Sequence, residues 1–587
     1  MAGLVAGRLV FVSCLILMLP LLPLEAKQAG SPGAPGPRPQ GPGRRSPAVP
    51  PGTDPATGPR DRKVVESTGT GQISGRVTGG DAGQPLRRAI VRMHGEALED
   101  GGRLTTTDEH GRYQFRDLPA GRLLLNAGKG GYVRLSYGQR RAGEGGRPLE
   151  LADGQKLDHI DFNLPRGGVI TGRVADEYGE PVAELPVQVL RYRYVEGRRQ
   201  LVASGSMMSR TDDLGRFRIF GLPAGDYYVM ASAQRGMFMG AQSDTRSGFA
   251  PTYFPGTPSL NEAQTVRVGT GEEMGSLNFA VVSARTAKVT GVVIDSQGQP
   301  VDRGFIEVQS DTKSSAMFAM HGGGMIRSGG NFTISNLVPG DYILHVNLET
   351  VDSYEESATV PVSIASEDIT GLTIVTSSGS LAMGQALFET MPPDGLKPAD
   401  FGFYATAVNP ISMRGGLVTL KDDWTFEARL HEGPALIRAT KLPDGWVLKS
   451  VMHGGVDVTD RGIEFRPGER IEGLQLVLSN RTSVLTGAVT DERHRPARDY
   501  TVVVFPEDPG GWTPNSRYLF AARPTQEGRY EVRKLPAGQY LAVAVDYLED
   551  GQHTDPDYLE RLRGYATAFE IRDGERRDLN LELVRVQ

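Results

Sequence analysis

Apart from Cys14 the sequence holds no cysteine. Beyond that point thiolate catalysis, cysteine-ligated metals and disulfides are therefore excluded. The nine histidines include no HExxH pair, and no G-x-S-x-G elbow, phosphate-binding loop or dinucleotide glycine fingerprint is present. Charge of either sign is not in large excess: the net charge is −6 over 587 residues, which argues against a dedicated nucleic-acid binder. Long apolar runs are missing after the first 26 residues. The early run, residues 9–24, follows Arg8, is interrupted by Pro20 and Pro23, and ends near "LEA" before Lys27. It is short for a spanning helix and reads as a signal peptide over residues 1–26. Cys14 lies inside that run, not after it, which speaks against a lipid-anchored cysteine.

What is abundant is glycine, 75 residues, against 7% aromatic residues. Such a composition favours many turns and short strands. Residues 30–62 carry ten prolines and no aromatic residue, so residues 27–70 are expected to be a disordered linker.

The remainder repeats itself. "DEHGRYQFRDLPAGRL" from Asp108 returns as "DDLGRFRIFGLPAGDY" from Asp212 and "QEGRYEVRKLPAGQY" from Gln526. Upstream of each copy is a strand carrying one glycine, and that glycine recurs at Gly75, Gly172, Gly291, Gly384 and Gly487. A second glycine, closing the hairpin, recurs at Gly121, Gly225, Gly340, Gly433 and Gly538. The register predicts five modules, at 71–166, 167–285, 286–379, 380–482 and 483–587, the fourth being degenerate because "DDWTFEARLHEGPALIRA" lacks the turn glycine and the LPAG turn. Aspartate opening and glycine closing a four-residue turn, followed by alternating Tyr113 and Phe115, read as a strand-turn-strand hairpin. The last module shows seven such strands, which predicts an all-β fold of tandem seven-stranded β-sandwiches. One short helix is expected at "DPDYLERLRGYA", with Asp555 as N-cap and Pro556 opening it, over an end or edge of the last sandwich. An odd number of strands, antiparallel throughout, would string the modules end to end.

The opening "GRV", the Gly-x-Pro turn and "TDEHGRYQFRDLPAGRLLLNA" resemble the carboxypeptidase regulatory-like domain, a transthyretin-like sandwich related to the B-type repeats of bacterial surface proteins. "APTYFPGT" and "GGVDVTDRGIEF" resemble segments of multi-module exported bacterial proteins. The resemblance implies a sandwich array and carries no catalytic residue, metal or cofactor with it. The acidic pairs Asp212/Asp213 and Asp422/Asp423 fall at the repeated turn and are read as turn formers, with no calcium loop around them. Loops that break the repeat are the places for contact with a ligand, and Tyr253, Phe254 and Trp512 are candidate contact residues for a sugar or a partner peptide, although the favoured reading is that these rings close over the open end of their own sandwich. The reading is a non-enzymatic, exported protein of the periplasm or cell surface, binding an envelope protein or polysaccharide without metal or cofactor. A carbohydrate-binding accessory and a subunit of an envelope enzyme complex are the alternatives.

Overall fold

A computed structural model describes residues 69–585, apart from 81, 96–97, 99–101, 142, 196, 233–246, 311–319, 350–353, 366, 391–394, 409–414, 431–432, 467 and 514. The expected signal segment and the expected linker as far as residue 68 lie outside the described residues.

Strands dominate, and their sheets follow one another along the chain in facing pairs. In each case an opening strand lies between two partners. It pairs antiparallel with the first strand of the repeated hairpin and parallel with the closing strand. For Gly168–Ala175 these partners are Arg216–Leu222 and Glu273–Ala280. For Ser380–Phe388 they are Thr425–Leu430 and Arg470–Ser479. The fully antiparallel arrangement expected from the strand count is thus replaced by a parallel closing step.

Apolar residues at alternate positions of the two sheets meet in five separate buried clusters, one for each stretch of chain. The stretch with the weakest repeat signal is well packed: Phe403, Phe426, Phe465, Leu474, Leu476 and Leu478 are all at most 2% exposed. Its turn lacks glycine, and Trp424 takes the left-handed conformation there (φ 65°). The indole then packs edge-on to Phe388 at 4.7 Å, so a large apolar side chain offsets an unfavourable backbone.

In the last stretch the strands Thr501–Pro506 and Gly538–Val545 are nearly continuous apolar runs, and both faces are covered. Val502, Val504, Ala542 and Ala544 face the sandwich core. Val503, Phe505, Leu541, Val543 and Val545 face Tyr558, Leu559 and Leu562 of the helix Pro556–Arg563. The helix starts as expected, Asp555 accepting from the amide of Asp557 at 3.2 Å. It covers an outer sheet face, and this explains why the run reads "TVVVF" without alternation.

Val65–Gln587 holds together as one unit. Contacts within it differ from an end-to-end string, because residues 138–150 of the first sandwich lie against the last. Arg523 forms an ion pair with Glu144 (2.9 Å) and donates to Asp499 (2.8 Å), and the Arg523 and Glu144 side chains are only 5% and 2% exposed. Arg147 donates to the carbonyls of Pro524 (3.2 Å) and Thr525 (2.8 Å), and Gln526 donates to the carbonyl of Glu150 (2.9 Å). Nearby, Glu549 takes Arg191 and Arg193 of the second sandwich at 3.8 and 3.9 Å.

Candidate functional site

The three candidate stacking aromatics turn inward. Trp512 is 6% exposed, donates through Nε1 to the Pro506 carbonyl at 2.8 Å, and lies edge-on to Phe505. It seals the helix against the sheet and offers no face to a sugar. Tyr253 packs with Leu190, Leu201 and Met230, and burial raises its phenol above the ordinary value. Phe254 lies edge-on to Phe279 at 6.1 Å, beside the second core. Among the described residues the most exposed aromatic is Tyr178, 84% accessible in the turn after Asp176, where sequence periodicity gave no signal.

The recurring aspartates do turn chemistry. Oδ1 of Asp108 accepts from the amides of His110 and Arg112, and Asp212 does the same for Leu214 and Arg216. Such contacts hold the Asp108 carboxyl below the usual range, the Arg112 amide contributing most. Asp423 is lowered by Thr425 in the same way. Among the described residues no group of three or more His, Cys, Asp or Glu side chains gathers to hold a metal.

A cleft of about 400 Å³ opens where the fourth sandwich meets the fifth. The linker Arg481–Thr482–Ser483 forms one part of its wall, and the turn Leu535–Pro536–Ala537, the fifth copy of the repeated phrase, forms another. Two polar ties hold the walls at a fixed separation. In the first, Asp460 receives Arg438 (3.3 Å), Arg517 (3.0 Å) and the Tyr518 hydroxyl (2.9 Å). In the second, the Lys449 ammonium reaches Glu389 and Asp573, each at 2.6 Å. The hydrogen bonds to Asp573 and Glu389 raise Lys449 above its ordinary value, and Lys449 in turn lowers Glu389. Lys449 therefore stays charged and is no nucleophile.

Five cations line the cleft against two carboxylates, Asp457 and Asp573. Arg438, Lys449 and Arg517 are engaged in the ties. Among the described residues, the guanidinium of Arg481 and the ammonium of Lys534 make no hydrogen bond or ion pair. Sequence reasoning missed both, because an unpaired cation in a turn looks like any solvated residue. Their signal is the position of Lys534 within the repeat: Asp117, Gly221 and Asn336 stand there in the other copies that keep the phrase.

Residues 72–165 match the carboxypeptidase regulatory-like domain family. No curated protein matches the chain. Among solved structures the chain is similar to a streptococcal ancillary pilin (9% identity, 52% of this chain and 98% of that one, TM-score 0.19). It is also similar to the major pilin subunit of Bacillus cereus (11%, 52% and 99%, 0.13). A third is a pair of B repeat units of the collagen-binding protein of Staphylococcus aureus (10%, 70% and 99%, 0.13). At these scores the likeness carries no argument about function.

Proposed function

We propose that the chain is an exported, non-enzymatic binding or structural protein of the bacterial cell envelope. Its five sandwich modules, at 71–166, 167–285, 286–379, 380–482 and 483–587, hold loops, strand edges and inter-module surfaces in place for a protein or polysaccharide partner. The observation that carries this reading is the use of polar residues. Those in the repeats cap turns, and those between sandwiches form ties such as Arg523–Glu144 and Asp460–Arg517. Polar chemistry is spent on fixing one sandwich against another, as a scaffold requires. Among the described residues, no helix is long and apolar enough to cross a membrane.

With Trp512, Tyr253 and Phe254 packed inward, a protein partner is favoured over a stacked glycan. The test is retention of envelope proteins and of purified polysaccharides on the immobilised chain. One envelope protein recovered in stoichiometric amount, and re-bound after purification, supports the proposal. Retention on a glycan alone would replace it with the carbohydrate-binding reading, and chemical change in any retained ligand would end the non-enzymatic one.

A further inference from the structure

The cleft between the fourth and fifth sandwiches is assigned no role by the architecture alone, yet one residue in it departs from its repeat. Lys534 has φ 61°, in the left-handed region. The equivalent Asp117 and Asn336 have φ 55° and 64°, and Gly221 has φ 78°. Glycine, asparagine and aspartate tolerate that conformation, whereas for lysine it is unfavourable. Unfavourable backbone kept at one copy of a repeat, and relieved at the others, points to a use for the side chain.

The junction between the first and second sandwiches supplies the contrast. There the position is Gly221, and the linker residue Gly167 lies so close that a Cβ on it would strike the Gly221 backbone. Where the residue is Lys534, the junction stands open as the 400 Å³ cleft. The ammonium shares that cleft with the Arg481 guanidinium, above an aliphatic floor of Leu442, Val447, Leu448 and Leu535. Tyr518, the one aromatic ring in the lining, is held by Asp460 and Arg517, so no free platform exists for a sugar.

We infer that this cleft captures the free carboxylate end of a partner polypeptide whose last side chain is aliphatic. Arg481 and Lys534 receive the carboxylate, and the leucine floor receives the side chain. Charge complementarity selects an anion, and the aliphatic floor selects what the anion is attached to. The inference rests on the reading of the chain as a binding protein and names the chemistry of one of its sites.

The test uses the full chain and a fluorescein-labelled hexapeptide ending in Leu-Val, as free acid and as C-terminal amide, followed by fluorescence polarisation. The free acid is expected to bind about tenfold more tightly than the amide, with affinity falling as salt rises. Lys534→Gly is the decisive variant, because it removes the ammonium while suiting the backbone. It is expected to weaken the free acid by about tenfold while leaving the thermal midpoint unchanged or higher. Arg481→Ala is expected to weaken it similarly. Equal binding of acid and amide, or parent affinity in Lys534→Gly, would overturn the inference. So would displacement of the peptide by octanoate at lower concentration than by unlabelled peptide, which would make the occupant a fatty acid. An envelope partner retained by parent and Lys534→Gly alike, with the free-acid peptide bound by neither, would remove the cleft assignment and leave the scaffold reading standing.

Discussion

Gly384, in the opening strand of the fourth sandwich, lies directly opposite Phe426, and the carbonyl oxygen of Leu474 from the closing strand occupies the place a Cβ would take. The same pairing recurs as Gly75 with Tyr113, Gly172 with Phe217, Gly291 with Phe332 and Gly487 with Tyr530. Each glycine is met by a carbonyl of the closing segment, from Ile160, Leu277, Leu372 and Leu579 in turn, Ile160 and Leu579 lying between two short closing strands. In the first and last sandwiches the tyrosine hydroxyl donates to that carbonyl, at 2.5 Å in both. The aromatic ring covers the bare glycine backbone, and the glycine lets the parallel closing strand come near enough to pair.

Gly384→Ala should therefore destabilise the fourth sandwich by about 1–3 kcal/mol, since the obstacle is backbone and cannot swing aside. Gly340→Ala is the matched control. Its Cβ would have nothing nearer than Tyr342 at 3.6 Å, and it should be neutral within about 0.5 kcal/mol. Thermal unfolding of the two variants beside the parent decides the matter; equal midpoints would refute the account.

Trp512→Ala should act on stability and not on ligand retention. Removing an indole packed against Phe505 and the helix is expected to cost about 3–5 kcal/mol. Calorimetry should show a lowered transition; an unchanged midpoint would mean that the helix does not depend on this ring.

Glu144→Ala leaves the Arg523 guanidinium buried with Asp499 as its remaining carboxylate partner. Truncating one member of a buried ion pair costs about 3–5 kcal/mol, and that loss falls on the contact between the first and last sandwiches. Hydrogen exchange in residues 138–150 and 523–526 should accelerate, while the core strand Ile90–Gly95 keeps its protection. Uniform acceleration would show instead that the contact supports the whole unit.

The turn aspartates set a pH response. Asp491 is lowered to about 2, first by the side-chain hydrogen bond from Arg495. Asp108, Asp302 and Asp423 are lowered as well. A carboxyl whose folded value is depressed binds fewer protons when folded, so its contribution is complete above the unfolded value, about 3.9, and is lost below it. The thermal midpoint should hold steady down to about pH 4 and fall towards pH 2. Asp491→Asn should flatten part of that fall, and a slope identical to the parent would assign the acid sensitivity elsewhere.

Local order was legible in the chain. The phrase around Tyr113 and Phe115 marks a hairpin through turn residues and two-residue alternation, and both are contained in a dozen residues. The start of the helix at Asp555 was equally local. What failed was non-local. Trp512 could be read as a stacking platform or as a ring closing over its own sandwich, because a ring in a glycine-rich loop carries no sign of the helix that will cover it. The Glu144–Arg523 pair joins residues with no shared pattern, and the cleft exists only because two sandwiches meet. Lys534 was visible in the sequence as an odd residue at a repeated place, but its meaning required the backbone angle.

The parallel pairing of each opening strand with its closing strand has a temporal side. During synthesis a sandwich cannot be sealed until its final strand has emerged, so loop closure over nearly the whole module precedes the stabilising contacts. Cores therefore complete in order along the chain. The Arg523 guanidinium that neutralises Glu144 belongs to the last sandwich, so a product cut short before it leaves a carboxylate on the first sandwich without its counter-charge. The return contact makes the far end of the chain a condition for finishing the near one.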